Sequence, residues 1–237
     1  MLARPWPGQR RKKVGRSALG RGEPDEQMNP RPTTLLERIP VLRACEAELG
    51  AAFDLLAAAF RNGHKLLVCG NGGSAADSEH IVAELMKGFL RRRPISAQDA
   101  ARLEQAGPGG KEITARLEGA LAAISLPSQM SLVTATANDG DFEMVFAQQV
   151  YGLGKPGDVL LAISTSGTSK NICNAVIVAR AFGLKSIALT GRSGGDLAPL
   201  ADVAIKVPSD DVAEIQELHL PVYHWLSTEL EAEFFQL

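Results

Sequence analysis

The sequence predicts an α/β protein built on a doubly wound parallel sheet. Two observations carry this. Short apolar runs alternate with segments of helical periodicity from Leu35 to Phe234, and the runs close on glycine or small hydroxyl residues, as strands do where they feed a helix. Bulk agrees: 237 residues, 45% hydrophobic and 22% charged, suffice for one domain with an attached piece and a core that needs no staples.

From Leu35 to Phe60 apolar residues recur at helical spacing, and Pro40 divides the stretch into a short lead and a longer helix containing Ala44 to Arg61. Asn62-Gly63 ends that helix. Lys65 to Cys69 is a short apolar run closed by Gly70-Asn71-Gly72-Gly73, hence the first buried strand, and a helix follows from about Ser74 to Leu90. Further strands are expected at Ala122–Leu126, Ser131–Thr136, Asp158–Ile163, Ser186–Thr190 and Val203–Val207, with helices at Phe142–Leu153, Ser169–Phe182 and Val212–Phe234. The polar stretch Pro94–Leu117, with Gly107-Pro108-Gly109-Gly110 inside it, is long for a connection in such a fold and reads as a flap or an inserted helical piece.

Composition narrows the function. A net charge of −2 and a pI near 6.1 leave no electrostatic footprint for nucleic acid, and no apolar run is long enough to span a bilayer. Cys45, Cys69 and Cys173 have no metal-type spacing and an odd count, so they read as reduced thiols of a cytoplasmic protein. Residues 1–30, with Arg10-Arg11-Lys12-Lys13 and Arg16 among Gly and Pro, are expected to be a disordered basic leader, an upstream start before Met28. Val14 to Gly20 supplies no apolar core for a signal peptide.

Ligands of open α/β sheets bind beyond the carboxyl ends of the strands, where Gly70–Ser74, Asn138-Asp139, Ser164–Ser169 and Thr190–Gly195 are expected to meet. The run Ser164-Thr165-Ser166-Gly167-Thr168-Ser169 sets five hydroxyls within six positions between a strand and a helix. Unpaired N–H groups and the positive helix end there suit a phosphate, and the same residues also suit an ordinary N-cap with a serine-rich turn. Gly70, Gly72 and Ala75 match a loose dinucleotide fingerprint without its acidic ribose contact, and no lysine follows to make a P-loop.

On the next helix His80 and Glu84 share a face at a spacing of four, close enough to bind one metal ion or one substrate, or to stand as a solvated pair. Apolar Ile81, Val82, Leu85 and Met86 surround them, so these polar groups need partners. Late in the chain Gln216, Glu217, His219 and His224 cluster, and they include two of the four histidines. Gln216 and His224 lie about 12 Å apart along a straight helix, a distance that Pro221 makes unsafe.

Taken together, Gly70–Ser74, His80 with Glu84, Asn138-Asp139, Ser164–Ser169 and Gln216-Glu217-Leu218-His219 resemble the sugar isomerase (SIS) domain family, most closely its branch acting on heptose phosphates. The likeness covers nearly all of Leu35–Phe235 and assigns 31–237 to one SIS domain, with 94–117 as an insertion longer than the usual connection. It implies a five-stranded parallel sheet of flavodoxin-like order and a homotetramer with interfacial active sites. The resemblance also implies one Zn2+ per subunit at His80, Glu84, Gln216 and His224, with Glu84 as base and His224 as acid. Ser74, Ser164, Thr165, Ser166 and Ser169 would seat the phosphate, and Asn71, Gly72, Gly73, Asn138 and Asp139 would contact the sugar. His219 matches a histidine of the wider family and ranks below His224.

The implied reaction is a ketose–aldose isomerisation through an enediolate, sedoheptulose 7-phosphate to D-glycero-D-manno-heptose 7-phosphate. Two alternatives stand beside it. One is an SIS enzyme for another phosphosugar, which the insertion keeps open. The other is a non-catalytic adaptor that binds a replication initiator, against which the retained Glu84 and His224 argue. A nucleotide-binding regulator ranks last, for want of the ribose contact.

Overall fold

The computed structural model describes residues 33–235, so the expected basic leader lies outside the described residues. Helix α1 (Thr33–Arg38) and a 3-10 turn at Pro40–Cys45 precede α2 (Glu46–Arg61), which buries a stripe of Leu49, Ala52, Phe53, Leu56 and Ala57. Strand β1 (Leu66–Cys69), fully buried, runs into α3 (Gly73–Met86). Two helices, α4 (Ala97–Ala106) and α5 (Gly110–Arg116), then precede the short strand β2 (Ala123–Ser125) and α6 (Met130–Asp139).

A 3-10 turn at Phe142–Met144 opens onto α7 (Val145–Leu153), followed by β3 (Val159–Ser164) and α8 (Lys170–Ala181). The chain continues through β4 (Lys185–Thr190), a 3-10 turn at Ala198–Leu200, β5 (Val203–Lys206) and the long α9 (Val212–Phe234). Asp211 caps α9 by accepting from the Glu214 N–H, and the helix passes through Pro221 without ending.

The five strands are all parallel in the order β2-β1-β3-β4-β5, the flavodoxin-like order, with Val68 beside Leu161 and Leu161 beside Ile187. Alternation along the strands splits the core in two. Leu66, Val68, Leu161, Ile163, Ile187 and Ile205 pack under α2, α3 and α9, while Leu67, Cys69, Leu160, Ala162 and Ala188 pack under α7 and α8. The order reverses between β1 and β3, and this switch point is where the chemistry-bearing loops emerge.

Three expectations change. The strand expected at Ser131–Thr136 is helical, part of α6. Only Leu126–Met130 separates it from β2, and a parallel neighbour needs a crossover of a dozen or more residues, so a strand there could not join this sheet. Helix α3 stops at Met86 instead of continuing to Leu90, because Lys87 is extended and the Glu231 carboxylate on α9 takes the N–H groups of Phe89, Leu90 and Arg91 at 2.8, 2.9 and 3.1 Å. The stretch 94–117 is the helical piece: α4 and α5 form a hairpin whose ends meet at an antiparallel bridge between Pro94 and Glu118.

Candidate active site

The site lies where α3 and α9 run side by side, beyond the carboxyl end of β1. At its start, Gly70 is required by close approach, and Gly73 lies against the Gln216 side chain. A Cβ on Gly70 would collide with the Ser74 carbonyl, and one on Gly73 would meet the Gln216 Nε2 at 2.6 Å. Ser74 is buried in the first turn of α3, between exposed Gly72 and Gly73 and the helix body. Asn71 reaches across the switch point to Asn171 on α8, and the two side-chain amides exchange hydrogen bonds of 2.9 Å each.

Across the switch point, the turn after β3 is organised before any ligand arrives. Ser164 Oγ accepts the Gly167 N–H at 3.1 Å and sits 3.1 Å from Ser169 Oγ, while Ser166 Oγ and Thr168 Oγ1 are 2.9 Å apart. Gly167 holds φ +70°, and a Cβ there would strike the Gly194 carbonyl of the loop after β4. Ser169 is the N-cap residue of α8, yet its side chain caps no N–H. No protein acceptor is found among the described residues for the N–H groups of Ser169, Lys170 and Asn171, which leaves them directed at the helix entrance. Lys170 itself turns outward to Glu143 at 3.1 Å.

Down α3, His80 Nε2 lies 3.1 Å and His224 Nε2 3.2 Å from the same oxygen, Glu84 Oε1, and all the donor atoms fall within 4.8 Å of one another. Glu84 is 4% exposed. Neither oxygen of Glu84 nor Nε2 of His224 has a hydrogen bond of acceptable geometry. Burial raises the Glu84 carboxyl above the usual carboxylate range, against the lowering pull of the nearby Ser227 hydroxyl, His80 and Lys87. Burial pushes the His224 imidazole down, with the charges of His80 and Arg38 adding to it. Phe89 lies against the His224 ring, centroids 5.5 Å apart.

Three buried or half-buried donors that converge without bonding to each other have the form of a cation site. Bonds of about 2.0–2.1 Å place neighbouring ligands of a tetrahedral zinc about 3.3 Å apart, close to the two nitrogen–oxygen spacings here. The residues therefore fit the group. Gln216 stands apart from the trio: its amide rests on Gly73, seven residues or about two turns before His80. Asn138 and Asp139 end α6, exposed, with Asn138 Nδ2 donating to Asp139 Oδ1 at 2.8 Å. His219 is fully buried against the Thr190 backbone and belongs to the core.

A family described as "SIS domain" matches residues 33–125 and 109–191. The chain belongs to this family. A phosphoheptose isomerase from Geotalea daltonii is 43% identical over 188 residues, covering 79% of this chain and 85% of that protein. Two solved structures are similar at 33% identity, each spanning 84% of this chain. The phosphoheptose isomerase GmhA from Neisseria gonorrhoeae has a TM-score of 0.65 with 96% of its chain covered, and a phosphoheptose isomerase from Francisella tularensis has 0.67 with 92% covered. These SIS proteins share the five-stranded parallel sheet flanked by helices.

Several residues of this SIS site escaped the sequence reading. Asn171 closes the switch point, Tyr223 touches His80 and donates to Asp77, and Arg93 with Glu231 anchors the end of α3. Signals existed for two: Asp77 precedes His80 by three on one helix face, and Tyr223 adjoins His224. Arg93 and Glu231 lie 138 positions apart, and no local pattern joins them.

Proposed function

We propose that this SIS protein is a ketose–aldose isomerase of a phosphosugar, converting sedoheptulose 7-phosphate to D-glycero-D-manno-heptose 7-phosphate. The observation that carries the reading is the convergence of His80, Glu84 and His224 on one buried oxygen at the α3–α9 seam. The phosphate would rest on Ser74, Ser164, Thr165, Ser166 and Ser169 and on the free N–H groups at the start of α8. Ser74 precedes His80 by six residues, about 9 Å of helix rise, a span that an extended sugar phosphate bridges.

In this reading Glu84 takes the proton beside the substrate carbonyl and returns it to the neighbouring carbon. His224 holds a proton for the oxygen that becomes enediolate. Oε1 faces both imidazoles, so the other oxygen, Oε2, is assigned the proton. The raised basicity that burial gives Glu84 makes it a better proton acceptor than an exposed carboxylate. His80, Glu84 and His224 would hold a zinc ion, which would supply polarisation of the carbonyl when bound, whereas Gln216, the fourth member of the family set, lies apart from them against Gly73. Asn71, Gly72, Gly73, Asn138 and Asp139 are assigned to the sugar hydroxyls. His224 has two ring nitrogens, so the one facing Glu84 would serve as ligand and the other would carry the proton.

The test is incubation with sedoheptulose 7-phosphate, with chelator and with added zinc, while aldose formation is followed. Wild type should turn over, and Glu84→Gln, which keeps shape but removes the base, should lose about 100-fold to 10,000-fold in kcat. Near-normal turnover in that variant sinks the base assignment. No product under any metal condition moves the reading to another phosphosugar, which the α4–α5 hairpin following α3 in the chain keeps open, or to the adaptor.

A homotetramer in the cytoplasm belongs to the same reading. Helix α6 buries none of its residues although it carries Met130, Leu132 and Val133, and the exposed Tyr151 and Phe182 rings stack edge-on with centroids 5.1 Å apart. All three cysteines are free thiols, and burial with the Glu48 charge pushes Cys45 up to about 11, as suits a reducing compartment. Among the described residues no helix is long and apolar enough to cross a membrane.

A further inference from the structure

Tyr223 is a fully enclosed phenol, 2% exposed, whose hydroxyl makes two contacts: it donates to Asp77 Oδ1 at 3.2 Å and lies 3.0 Å from His80 Nδ1. A phenol has one proton to give. Because the Asp77 carboxylate can only accept, the phenol proton is committed to Asp77, and the phenol oxygen must then accept from His80 Nδ1. His80 is thereby held with its proton on Nδ1, which leaves Nε2, 3.1 Å from Glu84 Oε1 without a hydrogen bond to it, as the nitrogen with the free lone pair.

We infer that Asp77 and Tyr223 are positioning residues that fix the tautomer and ring orientation of His80 and so ready its Nε2 as a metal ligand. Asp77 and His80 sit three apart on one face of α3, and Tyr223 approaches from α9 with its ring edge-on to the imidazole, centroids 5.4 Å apart. The relay thus joins the two helices that carry the site. His80 has a half-exposed side chain, so solvent alone would not hold its ring in one orientation, whereas the enclosed phenol does. An outer partner of this kind sets which imidazole nitrogen is free to bind, and its loss costs about 10-fold to 100-fold in metal affinity. This inference rests on the proposed metal reading for its purpose, but its chemistry is written in the metal-free protein.

Two variants test it. Tyr223→Phe removes only the hydroxyl, and Asp77→Ala leaves the phenol free to turn its proton toward Nδ1, which would drive His80 to the opposite tautomer. Long-range 1H–15N correlation in the metal-free protein at mildly alkaline pH reads the tautomers of the four histidines directly. Wild-type His80 should show the proton on Nδ1, Asp77→Ala should show it on Nε2, and Tyr223→Phe should show a mixture. Competition titration with zinc and with cobalt should show binding about 10-fold to 100-fold weaker in both variants. Thermal melts serve as the folding control. An unchanged His80 tautomer in both variants, or zinc affinities within twofold of wild type, overturns the inference. If wild type binds neither metal while the tautomers shift as stated, the positioning stands and the metal reading falls.

Discussion

Among the four histidines, His219 is the one fully buried, on the face of α9 turned toward β4. Burial pushes its pKa down to about 4, against a small raising pull from the Thr190 backbone. The unfolded chain, with an ordinary value near 6.5, therefore binds more protons than the native state between about pH 6.5 and pH 4. Stability contributed by this group is complete above the upper limit and falls as pH drops through the window. Denaturant unfolding at pH 7.5 and pH 5 should show wild type losing about 2 kcal/mol more than His219→Gln does. Equal losses would mean that His219 is already charged or solvated in the native state. The sequence could rank His219 below His224 only through the resemblance, since a histidine's partners are set by the element it faces, and that element was β4.

At the scale of elements, the junction that matters most is the end of α3 against the end of α9. Arg93, fully buried, donates to Glu231 Oε1 at 2.8 Å and to the carbonyls of Leu85 and Glu84 at 2.7 Å each. Burial works against the Glu231 charge, but three backbone N–H groups and the guanidinium outweigh it and hold its carboxyl below the usual range. The carbonyl that Arg93 grips is that of Glu84 itself, so this clamp sets the height of the proposed base on its helix. Arg93→Met should cost about 3–5 kcal/mol, because it strands a buried carboxylate, and calorimetry or denaturant melts would measure it. A loss below about 1 kcal/mol would show that the three N–H groups suffice alone. The same junction explains why the end of α3 was misjudged. Helical periodicity continues through Leu90, and only a carboxylate about 140 positions away, capturing successive N–H groups, stops the helix at Met86. By contrast α9 was legible over its whole length, because Asp211 caps it locally and apolar periodicity persists to Phe234.

For the whole molecule, the sheet was readable because β1 and β3 are fully enclosed, mostly apolar runs and β4 is enclosed after its first residue, Lys185, each bounded by glycine or hydroxyl turns. The strand expected at Ser131–Thr136 failed on topology, since β-branched residues suit either state until the crossover length is counted. The α4–α5 hairpin is the other global feature. Helix α4 buries nothing, α5 buries only Gly110, and the two ends are tied by the Pro94–Glu118 bridge and by the Gly119 N–H on the Arg93 carbonyl at 2.7 Å. Replacing Ile95–Leu117 by a short glycine-rich turn should change stability by no more than about 1 kcal/mol. The shortened chain should keep the same number of subunits in light scattering, because the apolar face of α6, α7 and α8 is the surface assigned to association. Unfolding, or a fall to monomer, would show that the hairpin belongs to the core or to the interface.

The Asn71–Asn171 amide pair has a consequence for how a ligand leaves. It fastens two loops across the switch point without bringing any net charge, and Lys170, the cation nearest in sequence, is turned away to Glu143. Among the described residues, the proposed phosphate seat is therefore made of hydroxyls, amides and backbone N–H groups. A dianion held by neutral dipoles is recognised through geometry more than through long-range attraction, so its retention resists added salt, and no ion pair has to be broken when the product departs.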